Sequence, residues 1–434
     1  MKRDPQALQS REHDLLVIGG GIAGAWTAWE AASRGLSVAL VELEDFGQAT
    51  SWASLKTAHG GLRHLQRLDI SGFRESVRER RTLLRVAPEI VRPLAFAVAV
   101  SGRLEAAKYF LGGVMNDLLS FDRNEGLRGD RCVGNSRLLG AGEAAAFRGS
   151  IPVSGGAFVW HDAQITHTER LLVGLLHAAT EAGALALNHC RLLGGERTSS
   201  GFEFKATDLA EGTEFSIRSR AVVNAAGAGL EAVAKLMGET CGSPTLIRGV
   251  NVVLGRDLTS RTALGARDRG RFLFLVPWLG RTMLGTVYDD GQRELDELVQ
   301  GLLEAGRRAF PWAGIQEGDI KALQSGHVPG ASDGEPIYRS RLIGHADPRI
   351  LSILTAKYTT ARATAEAAID RLAGAFRRPP TSSISATTAL SRAAPLSGSL
   401  KERILLVQQT EMALNREDAV RGRLIEGAFG EGAP

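Results

Sequence analysis

Residues 14–42 read DLLVIGGGIAGAWTAWEAASRGLSVALVE, a stretch that sets strand, glycine turn, helix and second strand in immediate succession. The apolar run Leu15 to Ile18 has the character of a buried strand, and it ends on Gly19-Gly20-Gly21-Ile22-Ala23-Gly24. The glycines have separate physical duties. Gly19 permits the tight turn out of the strand, Gly21 lets a pyrophosphate approach the backbone, and Gly24 lets the following helix pack close to the strand. The N-terminus of that helix offers backbone N–H groups and a partial positive charge to phosphates. A second strand over 37–41 runs into Glu42, at a position where a carboxylate accepts hydrogen bonds from ribose hydroxyls. A glycine turn alone is common in α/β domains. Its place between strand and helix, with an acid at the tip of the next strand, points to a dinucleotide site. The acid calls for a free ribose 2′-hydroxyl, so FAD or NAD is expected rather than NADP.

The rest of the composition narrows the class. A chain of 434 residues exceeds one simple core and predicts two domains, interleaved in sequence. Hydrophobic residues make up 44% and charged residues 23%, the balance of a globular protein rather than a disordered one. The net charge of +4 is small for this length. It serves solubility or a basic cleft for an anionic substrate, and the scattered basic residues carry no nucleic-acid-binding motif. The densest basic run, RESVRERRTLLRV at 74–86, has the spacing of a solvated helix face. Cys132, Cys190 and Cys241 are far apart, with no CxxC and no Cys/His cluster. Neither a disulfide framework nor a metal site is indicated, and a reducing, cytoplasmic setting is expected. Residues 1–13 are polar and read as a short leader rather than a signal peptide. No apolar run approaches the roughly 18 residues that a membrane-spanning helix needs.

Farther along, 47–66 is polar and glycine-rich like a long functional loop, and 71–87 has helical spacing. The segment 104–121 places Leu111, Val114, Met115, Leu118 and Leu119 at helical intervals. That stripe reads first as core, with peripheral contact to a membrane as the alternative. An amphipathic helix is expected over 166–182, a hairpin over 201–219, and a buried strand over 219–226 that runs into Gly227. Strands recur over 246–290, a helix follows over 297–310, then a strand at 350–355 and a helix at 360–373. A proline- and serine-bearing stretch at 378–397 leads to a charged helix or helix pair over 399–424.

Taken together, these segments resemble the FAD-dependent glycerol-3-phosphate dehydrogenases, within the wider D-amino-acid-oxidase-like flavoprotein superfamily. The dinucleotide motif carries part of the resemblance. Residues 49–65, ATSWASLKTAHGGLRHL, are similar to that family's flavin loop, roughly TSS-x-S-x-K-x-x-HGGLRYL. Val222-Val-Asn-Ala-Ala226-Gly227 resembles the strand-to-glycine turn facing the FAD phosphates, and Ala356-Lys357-Tyr358-Thr359-Thr360-Ala-Arg362 resembles the GGK-x-TTYR turn. Asp333-Gly-Glu-Pro336 is a weaker echo. The resemblance implies an α/β fold: a Rossmann-type, glutathione-reductase-like FAD-binding domain, an antiparallel-sheet substrate domain and a short C-terminal helical segment. The expected division is 11–95, 155–245 and 345–380 for FAD, 96–154 and 246–344 for substrate, and 381–434 for a truncated helical region. It implies non-covalent FAD held by Gly19, Gly21, Ile22, Ala23, Gly24, Glu42, Thr50, Ser51, Ser54, His59, Gly60, Gly61, Ala226, Gly227, Lys357, Tyr358, Thr359 and Thr360.

The same resemblance assigns Arg63 and Lys357 to positions around an anionic substrate group, with Arg248 where the family has lysine. Departures cluster there. Asn251 stands where the family's KGSH has histidine, Val328 where SGVRP has arginine, and Tyr288 where GTTD has aspartate. An asparagine cannot act as a base near neutral pH. His327, beside Val328, is the candidate replacement. The expectation is therefore a flavoenzyme that moves a hydride from a small anionic alcohol, phosphorylated or a hydroxy acid, to flavin N5, with substrate choice altered from the family's. Quinone, oxygen or an electron-transfer protein would take the electrons. An amine or amino-acid oxidase, or a non-catalytic flavin-binding subunit, are the rival readings.

Overall fold

The computed structural model describes residues 1–144, 156–242, 245–331, 334–355 and 357–424. Asp333 and Ala356 of the motifs above lie outside them. The chain divides into two compact units. The first comprises Met1–Trp52, His167–Ile247 and His327–Pro434, the second Ala53–Thr166 and Arg248–Gly326.

In the first unit the strand Glu12–Ile18 lies in parallel between Val38–Val41 and Thr213–Asn224, and Ile350–Leu354 and Leu185–Leu187 extend the parallel sheet on either side. Arg341–Gly344 closes one edge antiparallel. Leu15, Leu16, Val17, Val38, Ala39 and Leu40 are fully buried. That is why the central strands read as unbroken apolar runs: both faces are covered, with Leu16, Ile18, Ala39 and Val41 packed in one core with Leu8 and the hairpin residues Phe202, Phe204 and Phe215. The helix Ile22–Ser33 packs on Thr168–Glu181 and Ala361–Arg371. The 201–219 hairpin forms as expected, with Phe202–Asp208 antiparallel to the start of Thr213–Asn224.

A Cβ at Gly24 would overlap the carbonyl oxygen of Gly19, so only glycine lets the helix start this close to the strand. Gly19 itself sits at φ +107°, and a Cβ there would lie 2.7 Å from the Ala225 carbonyl oxygen.

The second unit is built on a nine-stranded sheet. Leu246–Leu254, Arg281–Asp289, Arg271–Trp278 and Thr262–Asp268 run antiparallel in succession, followed by Val91–Ala99 and Ala157–Ile165. One face packs Val250, Val252, Leu254, Leu275 and Leu284 against Leu298, Leu302 and Leu303 of the helix Leu295–Ala309.

Two expectations meet a different arrangement. Residues 53–95 and 156–166 belong to the second unit, because Val91–Ala99 is a full partner of Ala157–Ile165, and 327–331 and 334–344 belong to the first. The stripe on the helix Arg103–Leu119 is not core. Leu104, Leu111, Val114, Met115 and Leu118 are exposed, and Gly113 is the buried residue of that helix. Periodicity identified an apolar face but not what covers it.

Gly24→Ala should destabilise the apoprotein by about 1–3 kcal/mol, because the added methyl meets backbone that cannot rotate away. Urea unfolding monitored by circular dichroism measures this, and an unchanged midpoint would contradict the close packing.

Candidate cofactor and catalytic site

In the first unit the register of the sheet assembles one group. Ile18 pairs with both Val41 and Asn224, so Gly19, Glu42 and Ala225-Ala226 leave the sheet side by side. Gly21 is the N-cap of the helix Ile22–Ser33 and supplies no side-chain cap. The Glu42 carboxylate accepts from Gly20 N–H at 2.6 Å and from Glu44 N–H at 2.9 Å. Burial pushes this carboxyl above its ordinary value, partly offset by the two amides. Ser51 Oγ accepts from Ile22 N–H at 2.9 Å. Asn224 braces the other side, with its Nδ2 donating to Leu230 O at 2.8 Å and its Oδ1 accepting from Ala226 N–H at 3.2 Å. A glycine cradle with no room for a Cβ, a helix N-terminus whose N-cap glycine contributes no side chain, and a partly buried carboxylate at the adjacent strand end fit the ADP half of FAD.

The 357–360 turn is also in this unit. Tyr358 donates its hydroxyl to Thr168 O at 2.9 Å, and burial raises its phenol well above the usual value. Thr359 and Thr360 are buried, and Thr360 caps the helix Ala361–Arg371 without a side-chain bond. The Lys357 ammonium lies 5.8 Å from the Tyr338 ring centre. The Thr50 hydroxyl donates to His327 O at 2.9 Å and accepts from His327 N–H at 3.0 Å, while His327 is exposed. Thr50 is therefore engaged in latching the 327 segment rather than held ready for a phosphate.

The second unit contains the HGGL loop. His59 Nδ1 lies 3.1 Å from Asp162 Oδ2, and Thr57 Oγ1 lies 2.9 Å from His59 Nε2. Asp162 Oδ1 accepts from Gly60 N–H at 2.6 Å and from Arg80 Nη1 at 2.8 Å. Burial alone would raise the Asp162 carboxyl, but the hydrogen bond and charge of His59, the Arg80 charge and the Gly60 amide bring it down to about 2. Being depressed, this pKa contributes stability at neutral pH that is lost as the pH falls toward 2. The His59 ring is 45% exposed, while Asp162 and Arg80 are buried. A Cβ at Gly60 would overlap the Arg80 guanidinium, so the loop passes directly over the ion pair. Gly61 sits at φ +89° and begins the helix Leu62–Gln66. Ser54 Oγ accepts from Lys56 N–H at 3.3 Å. Lys56 is fully buried with its ammonium 5.0 Å over Trp278.

Arg63 is exposed and Arg248 half-buried in this unit. Asn251 is buried, and its Oδ1 accepts from the Thr286 hydroxyl at 2.6 Å. Tyr288 is partly exposed beside Gly249. Sequence reasoning missed Asp162 and Arg80 as members of this group. The one available signal for Asp162 was a lone acid inside the mostly apolar strand FVWHDAQI.

Comparison with known proteins agrees with this geometry. The profile of the DAO family, FAD dependent oxidoreductases, matches residues 14–371. A glycerol-3-phosphate dehydrogenase of Synechocystis is 30% identical, over 92% of this chain and 76% of its own length. A probable mitochondrial glycerol-3-phosphate dehydrogenase of Caenorhabditis elegans is 29% identical, over 86% of this chain but 55% of its own. Thus the chain spans about half the length of that relative. Among solved structures, the glycerol-3-phosphate dehydrogenase of Bacillus halodurans, complexed with FAD, superposes with a TM-score of 0.66 at 23% identity over 87% of this chain and 68% of that one. The FAD-bound L-α-glycerophosphate oxidase of Mycoplasma pneumoniae gives 0.63 at 16% identity, covering 87% of this chain and 99% of that one. Glycine oxidase of Geobacillus kaustophilus gives 0.58 at 22%, covering 88% and 99%. With its mixed α/β architecture and its nucleotide-shaped strand ends, the chain belongs to the FAD-dependent oxidoreductase family.

Proposed function

We propose that this protein oxidises a small anionic alcohol, glycerol-3-phosphate or a hydroxy acid, with His59 as the proton acceptor. Bound FAD supplies the hydride acceptor. The observation that carries the reading is the His59–Asp162–Arg80 chain. Asp162 accepts from Nδ1 and fixes the tautomer, which leaves Nε2 as the basic nitrogen. Nε2 accepts from the Thr57 hydroxyl, a bond that a substrate hydroxyl would replace. Once His59 is protonated, the Asp162 anion stabilises the imidazolium, and Arg80 keeps that carboxyl ionised. Arg63 and Arg248, both in the second unit, are the candidate cations for the anionic group. His327 has less support as a base, since its ring is exposed and its main chain serves as the latch for Thr50.

Altered substrate choice rests on the 251 position. With its oxygen tied to Thr286, Asn251 offers a neutral amide where the family has an imidazole. That neutrality, with Val328 in place of arginine, is what favours the amine or amino-acid alternative. An anaerobic absorbance titration with glycerol-3-phosphate, hydroxy acids, amines and amino acids separates the two. Bleaching of the flavin band by an anionic alcohol supports the proposal, bleaching by amines alone overturns it, and no bleaching by any of them supports a non-catalytic role.

A second reading concerns where the enzyme works. No described helix is long and apolar enough to cross a membrane. Yet Leu104, Leu111, Val114, Met115 and Leu118 form one exposed apolar stripe on Arg103–Leu119, and Arg103 and Lys108 on the same helix are exposed. An amphipathic helix with basic residues at the edge of its apolar face suits an anionic bilayer surface, and a membrane quinone is the electron acceptor that such a location favours.

Each part of this reading has its own measurement. His59→Asn should slow flavin reduction by about 10²–10⁴-fold and flatten its dependence on pH, and Asp162→Asn should slow it less. Stopped-flow reduction across pH 5–9 (about the range in which histidine titrates) measures both; an unchanged rate for His59→Asn excludes it as the base. At Glu42, ribose hydroxyls donating to the carboxylate favour its ionised form, so FAD binding releases a proton. FAD affinity should therefore weaken as pH falls through the raised apoprotein pKa, by at most about tenfold per pH unit, and Glu42→Gln should remove the slope in a fluorescence-quenching titration. The Leu111→Asp/Leu118→Asp double variant should lose co-sedimentation with anionic vesicles while flavin reduction stays intact; retained co-sedimentation would rule out this helix as the contact.

A further inference from the structure

The segment that follows the proline- and serine-bearing stretch contains the helices Leu400–Thr410 and Arg416–Gly422. We propose that this segment is a positioning strap for the ADP half of the cofactor, with Arg423 as its key residue. The inference rests on the FAD site described above and concerns how that site is held in shape.

Arg423 is fully buried and reaches the loop that follows the second strand. Its two terminal nitrogens donate to Asp45 Oδ2 and Oδ1 at 2.6 and 2.7 Å, and its Nε donates to Glu411 O at 3.0 Å. A bidentate fork of this kind fixes orientation as well as separation. Asn188 Nδ2 joins the two sides, donating to Asp45 Oδ1 at 2.7 Å and to Met412 O at 2.9 Å. Glu411 accepts from Arg170 at 2.7 Å, Asp418 accepts from His189 at 3.0 Å, and the Arg421 guanidinium lies 4.4 Å over the Trp52 ring. A Cβ at Gly422 would overlap the Asp45 carboxylate.

The loop held in this way is the one that shapes the nucleotide cradle. Glu42 at its start accepts from Gly20 N–H, and Ser51 at its end accepts from Ile22 N–H. Between them, Asp45 is gripped by Arg423, and the buried Phe46 ring lies where a Cβ at Gly20 would fall, 2.5 Å away. The Arg423 guanidinium is 5.7 Å from that same ring. Contacts therefore run without a break from Arg423 through Asp45 and Phe46 to Gly20. Asp45, His189 and Asp418 also bring ligand atoms within 4.8 Å of one another. The Arg423 guanidinium supplies the positive charge beside Asp45, so the group needs no metal ion to balance it.

The test compares Arg423→Lys, which keeps the charge and loses the fork, with the neutral pair Asp45→Asn/Arg423→Met, which keeps an acceptor for Asn188 and leaves no buried charge unpaired. FAD and ADP binding to the full-length apoproteins are measured by fluorescence titration and calorimetry, with thermal unfolding alongside. The expected result is a loss of at least tenfold in affinity for FAD and for ADP alike in both variants, while the folded apoprotein persists. Unchanged affinities in the folded variants, with only the melting temperature lowered, overturn the proposal and leave the segment a purely structural brace. A wild-type apoprotein that binds no FAD would instead defeat the cofactor reading on which the proposal rests.

Discussion

The first unit depends on one backbone-to-backbone approach. The helix Ile22–Ser33 begins against the carbonyl of Gly19, at a separation that a single methyl at position 24 would forbid. That approach aims the helix N-terminus at the point where three parallel strands end together. Because Ile18 is paired with Val41 on one side and Asn224 on the other, Glu42 and Ala226 flank the glycine turn without further adjustment. Register and close packing, more than any individual polar contact, make this a nucleotide site. The hydrogen bonds from Gly20 and Ile22 to Glu42 and Ser51 then stiffen a geometry the backbone has already set.

This explains what was legible in the sequence. The glycine turn, the acid at the strand tip and the strand entering Gly227 are local signals whose meaning needs only a few residues of context. Partners distant in sequence left little trace. Asp162 meets His59 only because Ala157–Ile165 lies beside both Val91–Ala99 and Thr57–Ala58 in one sheet. Arg423 meets Asp45 across most of the chain, and nothing near position 423 reveals that its side chain is fully buried. The helix Arg103–Leu119 illustrates a different limit. Its spacing correctly indicated a helix with an apolar face, but burial depends on neighbours, and Leu104, Leu111 and Leu118 are left exposed.

The charges of the second unit bear on whether His59 is functional. A buried pair such as Arg80–Asp162 adds little net stability, because the loss of hydration nearly cancels the attraction. A sequence selected for stability alone would lose little by replacing it with well-packed apolar residues. Asp162 does more than neutralise Arg80: it also binds Gly60 N–H and faces the Nδ1 of a histidine whose ring is 45% exposed. A buried anion with one side fixed by arginine and a loop amide, and the other turned to a half-exposed imidazole, is a device for holding that imidazole in one tautomer and one orientation. By contrast, the Asn251 oxygen is spent on Thr286, and no protonation state of an amide could take a substrate proton. On the proposed reading proton transfer falls to the glycine-rich loop, and the neutral 251–286 pair is left for substrate choice.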